Sequence, residues 1–224
     1  MALILCIETS THVSSVAVHQ DGKLLGLIEN HRSNSHSEIL LNQINYCINQ
    51  VGISLTSLDA IAVSKGPGSY TGLRIGAATA KGLCYGLNKP LIGIETLDTM
   101  AFHVNQFNND KSLVCPMIDA RRMEVYCSVF DDINHKLLPT EAKILTEDSF
   151  REFSDVKKML YFGNGAEKFR DLMKDSKFFI YLEGIYPSAK YLGVLAEDAF
   201  QTESFVDSAY YEPYYLKEFV TTHQ

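Results

Sequence analysis

Two stretches of the 224-residue sequence are written in the same order, and that repetition limits the fold more than any single motif. In the first, an apolar run at 3–7 leads to Glu8 and the turn residues Thr9-Ser10. A looser run at 13–19, the pair Asp21-Gly22 and Lys23-Leu24-Leu25 follow. In the second, an apolar run at 113–118 leads to Asp119 and Ala120-Arg121-Arg122. A run at 123–130, an Asp-rich turn at 131–134 and Lys136-Leu137-Leu138 complete it. A short run with no polar face suits a strand buried on both sides. Asp-Gly supplies the positive φ that a tight hairpin needs. Two lobes of like topology account for the pattern; chance similarity of two short hairpins is the alternative that the pattern leaves open.

Between and after these stretches the periodicity turns helical. Ser35 and Glu38 form a capping box, and the helix they start at 35 carries Leu40, Leu41, Ile44, Cys47, Ile48 and Val51 before Gly52 ends it. A buried strand at 59–64, a helix at 71–87, a strand at 91–94 and a helix at 96–104 follow, with Asn88-Lys89-Pro90 as the stop between the middle two. The order is βββαβαβα. The polar stretch 105–111 marks the expected boundary between a lobe at 1–104 and a second at 105–224. The second lobe repeats the alternation, with elements expected at 147–153, 159–162, 166–174, 178–182 and 188–200. A duplicated α/β lobe of this order is the plan of the actin, Hsp70 and sugar-kinase (ASKHA) superfamily, an analogy of fold that assigns no function by itself.

Composition narrows the class. A net charge of −7 argues against this chain alone gripping a nucleic-acid backbone. Five cysteines, odd in number and without Cys-x-x-Cys spacing, read as reduced core thiols rather than disulfides or a zinc site. The start of the chain lacks the basic segment and cleavage site of a signal peptide, and no apolar run is long enough for a membrane span. The expectation is a soluble cytoplasmic protein with no membrane contact.

The most chemically suggestive segment is Lys65-Gly66-Pro67-Gly68-Ser69-Tyr70-Thr71-Gly72. A strand, a glycine-proline turn and a helix start make a ready anion site, because the first helical N–H groups have no internal partner. Glu8, Thr9 and Ser10 stand where a hinged ATPase places an acidic residue and hydroxyls near phosphates. Such an enzyme also needs a phosphate turn in the second lobe, and Asp119-Ala120-Arg121-Arg122-Met123 has no glycine; Gly163-Asn164-Gly165 is that lobe's close glycine pair. Turn capping by Glu8 and Asp119 is favoured over catalysis. His31 and His36 are not at helical i, i+4 spacing, so no zinc site is expected. No nucleophile–histidine pairing stands out either.

The helix at 71–87 carries Gly72, Gly76 and Ala80 in one row, continued by Cys84, and Gly82 and Gly86 in another. Each interior glycine costs about 1 kcal/mol relative to alanine, so close approach by something is expected. Packing on the lobe's own sheet accounts for one row. A neighbouring helix, from this chain or a partner, accounts for the other.

These residues also carry a resemblance. Ile7-Glu8-Thr9-Ser10, the string from Gly66 to Gly76, Ala80-Lys81-Gly82-Leu83 and the string from Asp119 to Tyr126 are similar to the TsaB (YeaZ) family. The resemblance implies a non-catalytic subunit for threonylcarbamoyladenosine formation at position 37 of ANN-decoding tRNAs. It implies docking to the catalytic relative TsaD and the ATPase TsaE, a homodimer when TsaD is absent, and tRNA reached only through the complex. ATP and a divalent metal would belong to those partners, with no cofactor in the isolated chain. TsaD carries two metal-binding histidines four apart, and Thr96 and Met100 occupy their places here; neither side chain replaces imidazole on a catalytic metal. The implied partner interface is Leu40, Ile44, Cys47, Ile48, Gly72, Gly76, Ala80 and Leu83, and the implied phosphate-loop remnant is Glu8, Thr9, Ser10, Gly66, Pro67 and Gly68. The rival reading is an enzyme, a degenerate metallopeptidase-like protein or a small-molecule kinase. The tail from Tyr210 to Leu216 is expected either to pack back across the lobes or to cover surface as a strand.

Overall fold

Ten strands and six helices alternate in the order expected, in a computed structural model that describes residues 2–32, 36–154 and 157–217. The first repeat is β1 (Leu3–Glu8), β2 (Ser14–Gln20), β3 (Lys23–Asn30), α1 (His36–Val51), β4 (Ala60–Gly66), α2 (Tyr70–Leu87), β5 (Leu91–Glu95) and α3 (Thr96–Asn105). The second is β6 (Leu113–Asp119), β7 (Glu124–Phe130), β8 (Lys136–Ile144), α4 (Arg151–Ser154), β9 (Met159–Phe162), α5 (Glu167–Met173), β10 (Phe179–Leu182) and α6 (Ala189–Gln201). The sheets are ordered β3-β2-β1-β4-β5 and β8-β7-β6-β9-β10. Their first three strands are antiparallel neighbours and the rest join in parallel. The same grammar in sequence therefore builds the same sheet twice, which is the ASKHA plan.

Local signals act as chemistry predicts. Asp21 and Gly22 both take positive φ, of 50° and 71°, to close the β2–β3 hairpin. Gly52, at φ 74°, ends α1, and Asn88 ends α2 in the left-handed conformation with its N–H on the Cys84 carbonyl. The capping box at Ser35 lies outside the described residues. The helix expected at 147–153 is displaced and shortened to Arg151–Ser154. Thr146 and Ser149 exchange hydrogen bonds in a turn, and Phe150 adopts φ 63° as its ring enters the core.

The chain divides into two compact units, 1–96 with 188–224 and 97–187. This differs from the expected division at 104/105. The last helix of each repeat groups with the other repeat's sheet, because its apolar face fits there. Leu97, Met100, Ala101 and Val104 of α3 pack with Val114, Ile118, Phe130 and Phe162 of the second unit. Ala189, Leu192 and Ala196 of α6 pack with Ile4, Cys6, Ala17, Ala60, Ala62 and Ile92 of the first. Gly193 is what lets α6 approach, since a Cβ there would collide with the His19 ring.

In the first unit, α1 and α2 cover the other face of the sheet around Leu5, Ile7, Val16, Val18, Ile61 and Val63. The tail packs on this same unit. Val206 bridges to Leu91, the Tyr211 ring is buried over Gly93, and the Tyr214 N–H donates to the Lys65 carbonyl at 2.6 Å. Lys81 donates from its ammonium to the Ala209 and Tyr211 carbonyls, each at 3.1 Å. Arg74 stacks on Tyr70 and donates to the Tyr215 hydroxyl, so both charged residues of α2 hold the tail.

Candidate functional site: a filled glycine loop and an open helical face

β4 delivers the chain to the Gly66-Pro67-Gly68 turn, and Ser69 caps α2 by accepting from the Gly72 N–H. The turn after β1 lies against this loop. The Ser69 N–H donates to the Ser10 carbonyl at 2.6 Å, and the Thr9 hydroxyl donates to the Gly72 carbonyl at 2.8 Å. Glu8 ties the corner together: one carboxyl oxygen accepts from the Ser10 N–H at 2.7 Å and from the Ser64 hydroxyl at 2.8 Å. Burial raises the Glu8 carboxyl above the ordinary carboxylate range, with the hydrogen bonds from Ser10 and Ser64 opposing.

The structure thus brings Glu8, Thr9, Ser10, Gly66, Pro67 and Gly68 together. What their glycines admit is the chain itself. A Cβ on Gly68 would collide with the Ser10 carbonyl, one on Gly72 with the Thr9 carbonyl, and one on Gly76 with the Thr9 hydroxyl. Gly66, at φ 109°, would bring a Cβ to 2.9 Å from the Tyr214 carbonyl. Backbone and hydroxyl oxygens of Thr9, Ser10 and Tyr214 therefore stand where side chains on these glycines would sit. This arrangement is a clamp joining β1, β4, α2 and the tail.

The expected partner interface needs correction. Leu40, Ile44, Cys47, Ile48 and Ala80 are buried in the first unit's own core, and Gly72 and Gly76 are buried against the β1 turn. Leu83 is partly buried against the same core. These residues form the inward stripes of α1 and α2 and pack on this unit's own sheet and β1 turn, all buried except Leu83. The outward face is a different set. Leu41 and Tyr46 of α1 are 60% exposed and Tyr85 of α2 is 90% exposed. Ala78, Gly82 and Gly86 are exposed beside Tyr85, and nothing lies within 4 Å of where a Cβ on Gly82 or Gly86 would sit. The second glycine row was visible in the sequence; the phase of the helices against the sheet, which decides the outward row, was not.

Met100 lies in the apolar cluster of the second unit, and Thr96 is buried at the start of α3. Among the described residues, no group of three histidine, cysteine, aspartate or glutamate side chains could hold a metal ion.

The second unit's turn is braced differently. Asp119 accepts from the Arg121 N–H at 2.6 Å and from the Lys168 ammonium at 2.5 Å, and Lys168 also donates to the Glu124 carbonyl at 3.0 Å. The Asn164 side chain accepts from the Asp119 N–H, and Gly165 lies against the Ile118–Asp119 backbone. Arg121 and Arg122 adopt φ of 71° and 46° in succession, a conformation that costs an L-residue roughly 1–2 kcal/mol.

Comparison with known proteins agrees with the fold. The family model described as "TsaD: tRNA N6-adenosine threonylcarbamoyltransferase" matches residues 11–203. A tRNA threonylcarbamoyladenosine biosynthesis protein TsaB from Escherichia coli is 32% identical over 219 residues, covering 96% of this chain and 94% of the relative. A tRNA N6-adenosine threonylcarbamoyltransferase from Staphylococcus aureus is 33% identical over 132 residues, covering 52% of this chain and 38% of the relative. The solved structure of YeaZ from Pseudomonas aeruginosa superposes with a TM-score of 0.81 at 25% identity, covering 96% of this chain and all of that one (100%). This chain belongs to the TsaB (YeaZ) family of tRNA threonylcarbamoyladenosine biosynthesis proteins.

Proposed function

We propose that this chain is a non-catalytic subunit required for threonylcarbamoyladenosine formation at position 37 of ANN-decoding tRNAs, working in the cytoplasm. It docks TsaD through the outward face of α1 and α2, and TsaE joins the assembled pair. In the absence of TsaD the same face pairs two copies of this chain. The observation that carries the reading is the contrast between the two surfaces. Thr9, Ser10 and Tyr214 lie against the glycines of the loop, whereas Leu41 and Tyr46 of α1 and Ala78, Gly82, Tyr85 and Gly86 of α2 are exposed. Small residues let a partner helix approach closely, and exposed tyrosines beside them supply large contact area at low entropic cost. A net charge of −7 leaves the main hold on tRNA to the partner.

Transfer chemistry, ATP and metal belong to the partners in this reading. Met100, at one of the two histidine places, serves the core instead. The reading is tested by reconstituting tRNA modification from TsaD and TsaE with and without this chain. Modification should require the chain and should be lost in a Gly82→Arg variant that folds normally. Saturable ATP hydrolysis by the isolated chain would favour the kinase alternative.

A further inference from the structure

The two charged side chains of α2, Arg74 and Lys81, stand on the side of the helix that the docking reading uses. Arg74, Ala78, Lys81 and Tyr85 follow one another at intervals of four, three and four residues, which lines them along one side of α2, next to Gly82. A free arginine or lysine there would lie across Ala78 and Gly82, where a partner helix needs small residues to come close. Both are instead drawn off to the C-terminal tail. The Arg74 guanidinium sits 4.3 Å from the centre of the Tyr70 ring and donates from Nε to the Tyr215 hydroxyl at 3.3 Å, with the Tyr70 and Tyr215 rings 4.9 Å apart. The Lys81 ammonium donates to the carbonyls on either side of Tyr210.

The tail has anchors of its own: Val206 on Leu91, the buried Tyr211 ring over Gly93, and the Tyr214 N–H on the Lys65 carbonyl. A surface contact that must hold a long charged side chain in one geometry adds little stability. The larger effect of these contacts is on where the two cations lie. Docking that had to immobilise a free lysine or arginine would lose roughly three- to tenfold in affinity for each. Pairing of two copies would lose more, because an isologous contact turns each copy's cations toward the other's.

We infer that the tail is a tether: it holds Arg74 and Lys81 off the outward row of α2 and so keeps that row open to a partner helix. The inference rests on the docking reading proposed above. Tyr215 and the backbone at 209–211 are positioning groups that act through Arg74 and Lys81 and do not touch the partner themselves.

The test uses the full chain, with self-association followed by sedimentation and TsaD capture by a pull-down titration. Tyr215→Ala releases Arg74, and Tyr211→Ala loosens the carbonyls that hold Lys81. Each should weaken both readouts about three- to tenfold. Adding Arg74→Ala to Tyr215→Ala should restore them, as should adding Lys81→Ala to Tyr211→Ala. A merely structural role of the tail gives no such rescue, because removing a further tail contact would only loosen it more. Urea unfolding accompanies every variant; should Tyr211→Ala fail to fold, Tyr215→Ala, on a half-buried side chain, carries the test alone. Unchanged binding by Tyr215→Ala overturns the inference for Arg74, and unchanged binding by a folded Tyr211→Ala overturns it for Lys81. Weakened binding that the alanine replacements do not restore overturns it too, and points to the tail tyrosines as partner contacts. Tyr85→Asp separates the two levels. If it leaves both readouts unchanged, the docking reading falls and the tether with it; if it weakens both while the tail variants bind like the wild type, the tether alone falls.

Discussion

At the scale of single residues, glycines with the same sequence signature have opposite consequences. Gly72→Ala places a methyl group on the Thr9 carbonyl, so it should destabilise the fold by about 1–3 kcal/mol, the usual cost of overpacking. Gly82→Ala meets open space on a helix and should stabilise by about 0.4–1 kcal/mol. Urea unfolding of the two variants reads both signs; equal shifts would contradict the packing described. His19 gives a third residue-scale expectation. Its Nε2–H donates to the Lys190 carbonyl at 3.0 Å, which leaves Nδ1 to accept from the Cys6 thiol at 3.8 Å. Burial holds the imidazole below its ordinary value of 6.5, with the Lys190 hydrogen bond opposing. The unfolded chain therefore binds the proton more readily. Stability should be full above 6.5 and fall as pH drops from there through the lowered folded value. An NMR titration that places His19 at or above 6.5 would contradict this. The Gly66–Gly76 string was legible as a strand–turn–helix corner. That its glycines answer to Thr9, Ser10 and Tyr214 was not, because those contacts join residues distant in sequence.

At the scale of elements, α1 and α2 show what periodicity supplies and what it omits. Their apolar stripes were readable, and Leu40, Ile44, Cys47 and Ile48 do form one face. The family resemblance implies a partner for that face, whereas the sheet claims it. The sheet residues it covers, Leu5, Ile7, Val16, Val18, Ile61 and Val63, are apolar, and an apolar sheet face must be buried by the chain's own helices. Leu40→Ala should accordingly cost about 2–5 kcal/mol of stability. Tyr85→Asp, on a side chain 90% exposed, should leave urea unfolding nearly unchanged and weaken TsaD capture and self-association together. Unchanged sedimentation and pull-down for Tyr85→Asp would remove α2 from the interface. The tail behaves as an element too, although its composition gave no period to read. Lys81→Met removes the donor to two carbonyls, and faster amide exchange should follow at 206–215. Protection unchanged there would mean that the apolar anchors at Val206 and Tyr211 suffice.

At the scale of the whole molecule, the repeated grammar announced two sheets of one topology, and both are present. The boundary was less legible. The polar stretch 105–111 looks like a linker, yet α3 before it groups with the second unit and α6 groups with the first. Composition records where the chain is polar; it does not record which sheet a helix's apolar face will meet. The same limit applied to the site. The residue types of the loop are legible in the sequence; burial is what makes the glycine loop a clamp and leaves the outer sides of α1 and α2 as the proposed docking surface. The central claim is that this chain contributes an essential docking surface to threonylcarbamoyladenosine formation and not the transfer chemistry. Quantitation of modified adenosine at position 37, in a reaction of TsaD, TsaE, tRNA and this chain, tests it most directly. Modification should be absent without the chain, restored by the wild type and by Gly72-intact variants that keep the outer face, and lost with Gly82→Arg. Full-rate modification without the chain, or with Gly82→Arg, would contradict the account.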